Sequence, residues 1–255
     1  MIAEHDRRIA TRTGALYASI WDQFSQAQWQ HFSDEMFFRW MHLPLDAAFF
    51  QDKVCLDAGC GSGRATRSML SLGALKVCAI DVGEGCVRNT RERNQAFGAR
   101  LEVQQASVLE IPYPDGAFDF VFCDGVLHHT TDPERGFCEL VRVLKPAGRL
   151  VVGLYGRGGL MNFAIYLARC FRHLIPRGLT LGVCKLLSSN PLLWYAVLDP
   201  MYVPIRRNYY EREVRPWFAR AGLANVVRTD STFGPYAYGR WIKGEGFLRF
   251  LAEKP

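Results

Sequence analysis

The sequence predicts an α/β fold in which a mostly parallel sheet carries helices on both faces. From residue 53 onward, short apolar runs of strand length alternate with longer segments of helical periodicity, which is the pattern of successive βαβ units. The first run ends in an aspartate, and three glycines follow it at alternate positions, Gly59, Gly61 and Gly63. With 255 residues, 49% of them hydrophobic, the chain is long enough to bury the core of one large domain.

The predicted elements can be justified in chain order from apolar runs and from the residues that begin or end helices. Strands (S) and helices (H) are expected at Lys53 to Asp57 (S), Ala65 to Leu72 (H), Lys76 to Asp81 (S), Glu84 to Phe97 (H), Leu101 to Gln105 (S), Phe118 to Cys123 (S), Pro133 to Leu144 (H), Leu150 to Tyr155 (S), Val214 to Ala221 (H), Asn225 to Thr229 (S) and Trp241 to Leu251 (S). The run "KPAG" at 145–148 predicts a turn before the fifth strand.

Helical segments are also expected on both sides of this alternation. Residues 9–50 carry many aromatic side chains at nearly helical spacing, which predicts two or three helices before the sheet. Residues 156–222 contain two or three further helical stretches separated by proline and glycine, so they are an insertion and not another βα unit. The expected organisation is therefore an N-terminal helical part at 1–50, a core at 51–155, a helical insertion at 156–222 and final strands at 223–255.

The composition favours a cytoplasmic protein without a structural metal. The N-terminal residues are polar and of both charges, and Arg169 and Arg172 interrupt the most apolar stretch, so neither export nor a spanning helix is expected. Three of the eight cysteines lie in apolar strand-like runs and no CxxC pair occurs, which favours free thiols over disulfides or zinc. A net charge of +6 is modest for a nucleic-acid-binding protein.

The glycine turn predicts a ligand at the carboxyl edge of the sheet, because backbone without side chains can approach a ligand closely. A dinucleotide fingerprint would need glycine where Arg64 stands, and no Gly-Lys-Ser/Thr follows as a phosphate loop requires. Asp57-x-Gly59-x-Gly61-x-Gly63, the strand "KVCAID" ending at Asp81 and the run "IPYPDGAFDF" resemble motifs of the class I S-adenosylmethionine-dependent methyltransferases. The resemblance covers about half of the chain, from residue 53 to residue 155 with a weaker match at 214–228.

This resemblance implies a Rossmann-like, seven-stranded sheet whose last strands form an antiparallel hairpin, with S-adenosylmethionine as cofactor. It also implies that Asp81 accepts hydrogen bonds from both ribose hydroxyls, a task that suits a carboxylate. Many relatives have an aspartate for the adenine amino group where this chain has Ser107, whose hydroxyl or whose neighbour's backbone would serve instead. The expected cofactor-binding residues are Asp57, Gly59, Cys60, Gly61, Gly63, Asp81, Val82, Ser107, Val108 and Asp124.

Methyl transfer needs alignment and dehydration more than a protein nucleophile, but an acceptor that loses a proton needs a base. The expected catalytic candidates stand at the ends of the fourth and fifth strands: His128, His129 and Tyr155. The alternative for either histidine is a packing or capping role. Glu211 and Glu213 are further candidates for the base, although a solvated helix start explains both of them.

Acceptor binding is expected to involve the flanking helices. The resemblance of residues 199–223 to small-molecule methyltransferases of the quinone and natural-product type points to Arg206, Arg207, Tyr209 and Tyr210, and Tyr17 and Trp21 are chosen from the N-terminal aromatics. The stretch between Glu139 and Asp199 has no acidic residue and is both basic and apolar. It could form a lid over the acceptor, contact an acidic membrane surface, or simply pack on the sheet.

The sequence therefore predicts a methyltransferase that acts on oxygen or carbon of a small, apolar or aromatic and potentially anionic acceptor, with parts 1–50 and 156–222 enclosing that acceptor. A nucleic-acid substrate is not expected, because no RNA-binding module accompanies the core. Two rivals use the same fold: an enzyme in which the bound cofactor supports a non-methylating reaction such as cyclisation, and a non-catalytic scaffold subunit. The oligomeric state is not predicted.

Overall fold

The computed structural model describes residues 4–40, 45–229 and 244–255. Its centre is a seven-stranded sheet with the order β3-β2-β1-β4-β5-β7-β6. The strands are β1 Val54–Ala58, β2 Lys76–Asp81, β3 Leu101–Gln105, β4 Phe118–Asp124, β5 Leu144–Tyr155, β6 Ala224–Arg228 and β7 Phe247–Glu253. The first five are mutually parallel, and β7 is antiparallel to both β5 and β6. The predicted Rossmann-like sheet with a terminal antiparallel hairpin is confirmed.

The helices of the alternating part lie on both faces of this sheet, and further helices precede and interrupt it. The α-helices are α1 Glu4–Trp21, α2 Gln26–Trp40, α3 Arg64–Ser71, α4 Glu84–Arg93, α5 Pro133–Val143, α6 Gly159–Phe171, α7 Arg177–Leu187, α8 Pro191–Tyr202 and α9 Glu211–Arg220. Short 3-10 turns occur at Ala47–Phe50, Gln95–Arg100, Leu127–His129 and Arg172–Leu174. Residues 156–222 thus contribute α6, α7, α8 and α9.

Two apolar clusters cover the two faces of the sheet. Phe118, Phe137 and Phe250 belong to the larger one, which α5 and α9 close, while Phe50 and Met69 belong to the smaller one under α3. Burial on both faces explains the apolar runs at 54–56 in β1, 120–123 in β4 and 150–154 in β5. The core therefore holds the carboxyl ends of these strands in a rigid position.

A third cluster fastens the N-terminal helices to the insertion. Leu16, Ile20 and Trp29 of α1 and α2 pack with Trp194 and Leu198 of α8. The indole Nε1 of Trp29 also donates to the carbonyl of Ser62 in the glycine turn, at 2.9 Å. The two helical parts that the sequence separates by about 150 residues therefore meet above the sheet edge.

Helix α4 ends at Arg93 and not at Phe97, because a 3-10 turn follows at Gln95–Arg100. Two strand boundaries also differ from the sequence-based expectation. "KPAG" at 145–148 lies within β5 and not before it: pairing with β4 shifts between Phe118 and Phe120, and Ala147 has a φ of 59°. A bulged strand and a turn use similar residues, so the local sequence does not separate them. The last strand begins at Phe247 and not near Trp241, since Gly244 and Gly246 precede it with positive φ; residues 241–243 lie outside the described residues.

Candidate active site

A cavity of about 540 Å³ opens at the carboxyl edge of the sheet, a volume typical of small-molecule sites. It lies where the strand order reverses between β1 and β4, the position at which open α/β sheets bind their ligands. The turns after β1, β2 and β4 form its floor. Helix α1 and Tyr195 of α8 form its roof, so the flanking helices cover the cavity at the sheet edge.

The glycine turn brings bare backbone to the cavity wall. Gly59 and Gly61 have φ values of 88° and 55°, which residues with side chains rarely adopt. A Cβ on Gly59 would lie 2.3 Å from the side chain of Val126, and one on Gly61 would lie 3.1 Å from Nε1 of Trp21. The sequence predicted that these two glycines let a ligand approach the backbone closely. In the structure they also let the side chains of Val126 and Trp21 do so.

Gly63 has a different role, since it is not part of the cavity wall. Its φ is 79°, and a Cβ there would lie 2.5 Å from Nδ2 of Asn94 and 3.0 Å from Cα of Thr90. The Asn94 side chain donates to the Gly63 carbonyl at 3.1 Å. Gly63 thus lets the start of α3 pack directly against α4.

Asp57 holds the glycine turn in place from below. Its carboxylate is buried, and Oδ2 accepts hydrogen bonds from the backbone N–H and the hydroxyl of Thr66 in α3. Burial raises the pKa of Asp57 to about 7, against the lowering effect of the Thr66 hydrogen bonds. Asp57 also lines the cavity, so it can orient the turn beside the site.

Asp81 ends β2 and faces the same cavity. Oδ2 accepts from the N–H of Gly61 at 3.0 Å and Oδ1 from the N–H of Gly83 at 2.8 Å. Burial raises the pKa of Asp81, and these two hydrogen bonds oppose that change. Because a carboxylate oxygen can accept more than one hydrogen bond, both oxygens of Asp81 remain able to receive the hydroxyls of a vicinal diol.

The helix α1 backbone approaches the turn after β2 very closely. A Cβ on Gly14 would lie 2.5 Å from Cα of Gly83, and one on Gly83 would lie 2.9 Å from Cα of Gly14. The glycine pair therefore allows α1 to close over Asp81. Gly14 was not among the predicted site residues, because only the folded structure shows what it packs against.

Four other predicted cofactor-binding residues also line the cavity: Cys60, Val82, Ser107 and Val108. The Ser107 hydroxyl accepts from the backbone N–H of Leu109 at 3.1 Å and keeps its own proton and one lone pair for a ligand. Burial raises the pKa of the Cys60 thiol well above its ordinary value, so this sulfur stays protonated at neutral pH.

Asp124 lines the cavity too, but its charge is already balanced. Arg249 of β7 donates to it twice, from Nε at 3.1 Å and from a terminal nitrogen at 2.6 Å. The pair needs the glycine at 153 in the neighbouring strand, since a Cβ there would lie 1.7 Å from Oδ1 of Asp124. Because Arg249 neutralises its charge, Asp124 can orient a ligand by accepting hydrogen bonds but adds little net charge to the cavity.

At the other end of the cavity, a buried polar cluster joins four side chains. Asp199 of α8 is 1% exposed, and its Oδ1 accepts from the hydroxyl of Tyr17 at 2.6 Å while its Oδ2 accepts from the hydroxyl of Tyr155. Nε2 of His129 lies 3.6 Å from Oδ1 of Asp199. Two tyrosine hydroxyls and a histidine therefore surround one carboxylate, with Tyr17, His129 and Tyr155 reaching the cavity wall.

The hydrogen bond of Nδ1 determines the tautomer of His129. Nδ1 lies 2.8 Å from the carbonyl oxygen of Ile205, which can only accept, so Nδ1 carries the proton. Burial lowers the pKa of His129, although Asp199 and the Ile205 carbonyl oppose the shift. The neutral ring therefore carries no proton on Nε2, a buried atom that has no hydrogen-bond partner among the described residues.

The structure does not bring all predicted catalytic residues to the cavity. His128 is fully buried behind Tyr155, at 4.0 Å between ring centroids, and burial lowers its pKa well below the ordinary value. Among the described residues, neither of its ring nitrogens has a hydrogen-bond partner. Glu211 pairs with Arg228, and Glu213 accepts from the N–H of Tyr210 at the start of α9, so both glutamates lie in other contacts.

The predicted acceptor contacts separate into three groups. Tyr17 and Trp21 line the cavity, and Trp21 stacks on Tyr195 at 5.2 Å. Arg206, Arg207 and Tyr209 instead line a shallower basic pocket, and Tyr210 lines a third one with α9. The guanidinium of Arg206 lies 5.0 Å from the ring centre of Tyr155, so it reaches the polar cluster only through that ring.

Besides Gly14, sequence reasoning also missed Asp199 and Tyr195. The signal for Asp199 was present, because it is the first carboxylate after a long acid-free stretch of the chain. A lone carboxylate in an apolar helix must find partners to be buried, and its partners come from α1 and β5. Tyr195 precedes it by one helical turn and carries no comparable signal.

The residues at the sheet edge fit S-adenosylmethionine. A half-buried carboxylate ends β2, and bare glycine backbone faces the cavity. Among the described residues no acceptor lies within reach of the buried Nε1 of Trp21 beside it. The described residues contain no cluster of three or more side chains that could hold a metal ion. The sheet order and this edge are those of a class I S-adenosylmethionine-dependent methyltransferase, and the chain contains a methyltransferase domain.

Comparisons with known proteins agree with this class. Residues 56–152 match the family described as a methyltransferase domain. The chain is 29% identical over 200 residues to the demethylmenaquinone methyltransferase of Clavibacter sepedonicus, covering 78% of this chain and 76% of that protein. It is 36% identical over 131 residues to an uncharacterised protein of Synechococcus, but the match covers 48% of this chain and only 31% of that protein.

A structural comparison supports the fold. The chain resembles a SAM-dependent methyltransferase from Aquifex aeolicus with a TM-score of 0.54 and 20% sequence identity, covering 91% of this chain and all of that one. Within the described residues, none of the helices combines the length and the apolar character needed to cross a bilayer.

Proposed function

We propose that this chain transfers the methyl group of S-adenosylmethionine to an oxygen or carbon atom of a small, apolar or aromatic acceptor in quinone-like or natural-product biosynthesis. The similarity to a demethylmenaquinone methyltransferase supports the quinone-like class. All eight cysteines are free thiols, which supports a reducing compartment and hence the cytoplasm.

One observation carries this proposal: a single cavity connects the carboxylate-bearing sheet edge with the buried polar cluster. Asp81 and the glycine turn stand at one end, and His129 and Tyr155 stand at the other. Methyl transfer needs a donor and an acceptor held in line and away from water, and one enclosed cavity with two chemically different ends provides that arrangement.

S-adenosylmethionine supplies an electrophilic methyl group on a positively charged sulfur. At the sheet edge, Asp81 and Val82 would hold the ribose, and Ser107 and Val108 the adenine. The turn from Gly59 to Gly61 would lie against the rest of the cofactor, and Asp57 would hold that turn in place. Asp124 would accept a hydrogen bond from the cofactor at the rim of the cavity. Gly63 contributes by allowing α3 and α4 to pack.

The acceptor would lie beneath α1 and α8, with Tyr17 and Trp21 as its aromatic walls. In this proposal, residues 1–50 act as a lid and residues 156–222 as a cap. Tyr195 completes the aromatic wall from the cap side. Arg206 is a positioning residue that holds the ring of Tyr155, and Tyr209 and Tyr210 shape the cap below it.

His129 is the proposed general base. An acceptor O–H or C–H would give its proton to Nε2. The electron pair left behind would form the bond to the methyl carbon as the bond from that carbon to sulfur breaks, with its electrons remaining on sulfur in S-adenosylhomocysteine. The adjacent Asp199 carboxylate then balances the charge of the imidazolium. Tyr17 and Tyr155 hold that carboxylate in place through their hydroxyls.

The proposal is tested by incubating the protein with methyl-labelled S-adenosylmethionine and a panel of demethylated naphthoquinols and catechols. We expect label in the acceptor and an equal amount of S-adenosylhomocysteine. His129→Asn, whose amide can still donate to the Ile205 carbonyl, should lower kcat by about 100-fold, the usual contribution of a general base. The affinity for S-adenosylmethionine should stay within a factor of about two, because His129 stands at the acceptor end.

The matched control is His173→Asn, which changes an exposed histidine of the insertion and should leave kcat unaltered. Full kcat in His129→Asn would exclude the assigned base. Turnover of an acceptor without S-adenosylhomocysteine would favour the non-methylating rival instead.

A further inference from the structure

The insertion carries a concentrated apolar surface. Within the described part of the chain, all but two of the exposed large apolar side chains lie between Leu160 and Leu193. We call the part of this surface on α6, the following 3-10 turn and α7 the apolar cap face. Its members are Leu160, Met161, Phe163, Tyr166, Leu167, Phe171, Leu174, Ile175, Leu179, Val183, Leu186 and Leu187. Patches of this extent on a monomer usually mark an interaction site.

The polarity of α6 is the reverse of that of an ordinary surface helix. Its exposed positions all carry uncharged side chains: Leu160, Met161, Phe163, Ala164, Tyr166, Leu167, Cys170 and Phe171. Its only charged residue, Arg169, points inward and donates to the carbonyls of Pro200 and Val203 at 2.7 and 3.0 Å. A helix in contact with water normally turns its charges outward, so the outer face of α6 is built for an apolar environment.

The inward arginines have a structural reason. Arg169 and Arg172 reach carbonyls at and just beyond the carboxyl end of α8, where the helix dipole is negative. Burial lowers the pKa of Arg169 to about 10, which leaves it protonated at neutral pH. The arginines therefore keep their positive charge just beneath the apolar cap face.

The segment that carries the apolar cap face has charges of one sign. No acidic residue occurs between Glu139 and Asp199, whereas Arg169, Arg172, Arg177 and Lys185 lie in or next to its helices. Lys185 is exposed on α7, beside the exposed Leu186 and Leu187. A face of this kind attracts a surface that is apolar inside and negatively charged at its rim.

The same charge pattern argues against a second copy of the chain as the occupant. A two-fold interface would place this surface against itself, so the exposed Lys185 would face a second positively charged segment that supplies no carboxylate. A bilayer containing anionic phospholipids satisfies both features, because its negative surface attracts the exposed Lys185 and the positive field of the inward arginines, while acyl chains meet the leucines and phenylalanines.

We propose that the apolar cap face docks the protein on the surface of a bilayer rich in anionic phospholipids. Leucine and phenylalanine side chains of α6 and α7 insert into the boundary between headgroups and acyl chains, while the helices lie parallel to the surface. Helix α8, which carries Tyr195 of the cavity wall, packs beneath α6 and α7. The cap would thus place the acceptor cavity close to apolar molecules dissolved in the membrane.

The test is flotation of the full chain with vesicles of phosphatidylglycerol and phosphatidylcholine in equal parts, compared with phosphatidylcholine alone. Flotation reads only lipid-bound protein, so aggregated protein does not count. The double variant Leu186→Gln/Leu187→Gln changes two side chains that are 86% and 75% exposed, so it leaves internal packing intact. We expect it to lower the vesicle partition coefficient at least about tenfold, and pure phosphatidylcholine to bind the wild type more weakly.

The matched control is Leu75→Gln/Val227→Gln, which removes two exposed apolar side chains outside the cap and should float like the wild type. The proposal fails if the wild type stays at the bottom of the gradient with both kinds of vesicle. It also fails if both double variants float equally well. A lipid-free dimer that Leu186→Gln/Leu187→Gln dissociates would show that a second copy covers this face instead.

Discussion

At the scale of single residues, the account depends on one imidazole and one carboxylate. The Ile205 carbonyl fixes the proton of His129 on Nδ1, and the nearest carboxylate oxygen to Nε2 belongs to Asp199. The sequence predicted His129 at the sheet edge because the residue follows the fourth strand closely. It predicted a base there because histidine titrates near neutral pH. It could not separate His129 from His128, since the two are adjacent in sequence and only the fold shows that His128 lies behind Tyr155.

The pH profile of kcat tests this pair. The pKa of His129 is lowered by burial, so its basic form persists below pH 6.5 and the acid limb of the profile should lie there. Asp199 raises that pKa, so Asp199→Asn should move the acid limb to still lower pH while reducing kcat.

Asp119→Asn serves as the control, because Asp119 pairs with Lys145 at the opposite edge of the sheet and should leave the acid limb in place. An acid limb that moves to higher pH in Asp199→Asn would contradict the assigned proximity of Asp199 to the base.

At the scale of elements, local pattern predicted most of the sheet and its helices. Apolar runs and glycine or proline signals located β1 to β4 within one or two residues, because strands buried on both faces have a strong local signature. The start of β5 and the end of α4 were less accurate. Both depend on contacts with distant chain, such as the pairing of β5 with β4 and β7, that no local pattern contains.

The turn into α3 offers a prediction about Gly63. Gly63→Ala should lower the free energy of unfolding by about 1–3 kcal/mol, because φ is 79° and the new Cβ would meet the backbone of Thr90 as well as Asn94. Urea unfolding followed by circular dichroism measures this change.

Gly182→Ala provides the comparison, since Gly182 lies within α7 and nothing stands within 4 Å of its Cβ position. That substitution should stabilise the protein by a few tenths to about 1 kcal/mol through helix propensity. Equal effects of the two substitutions would refute the close-packing role of Gly63.

At the scale of the whole molecule, three distant parts of the chain build one cavity. Helix α1 closes over the sheet edge at Gly14, the sheet supplies Asp81, and α8 supplies Asp199 and Tyr195. The sequence predicted the sheet-edge end in detail because the motif residues are close together in the chain. The acceptor end could not be predicted to the same depth, because its side chains meet only after α1 and the insertion pack together.

The central claim is that the sheet edge binds S-adenosylmethionine through Asp81, and titration calorimetry of the purified chain tests it most directly. We predict micromolar binding of S-adenosylmethionine and S-adenosylhomocysteine, weakened at least about tenfold in Asp81→Asn, or about 1.4 kcal/mol, and unchanged in Asp119→Asn. No binding by the folded wild type, or equal binding by the two variants, would contradict the account.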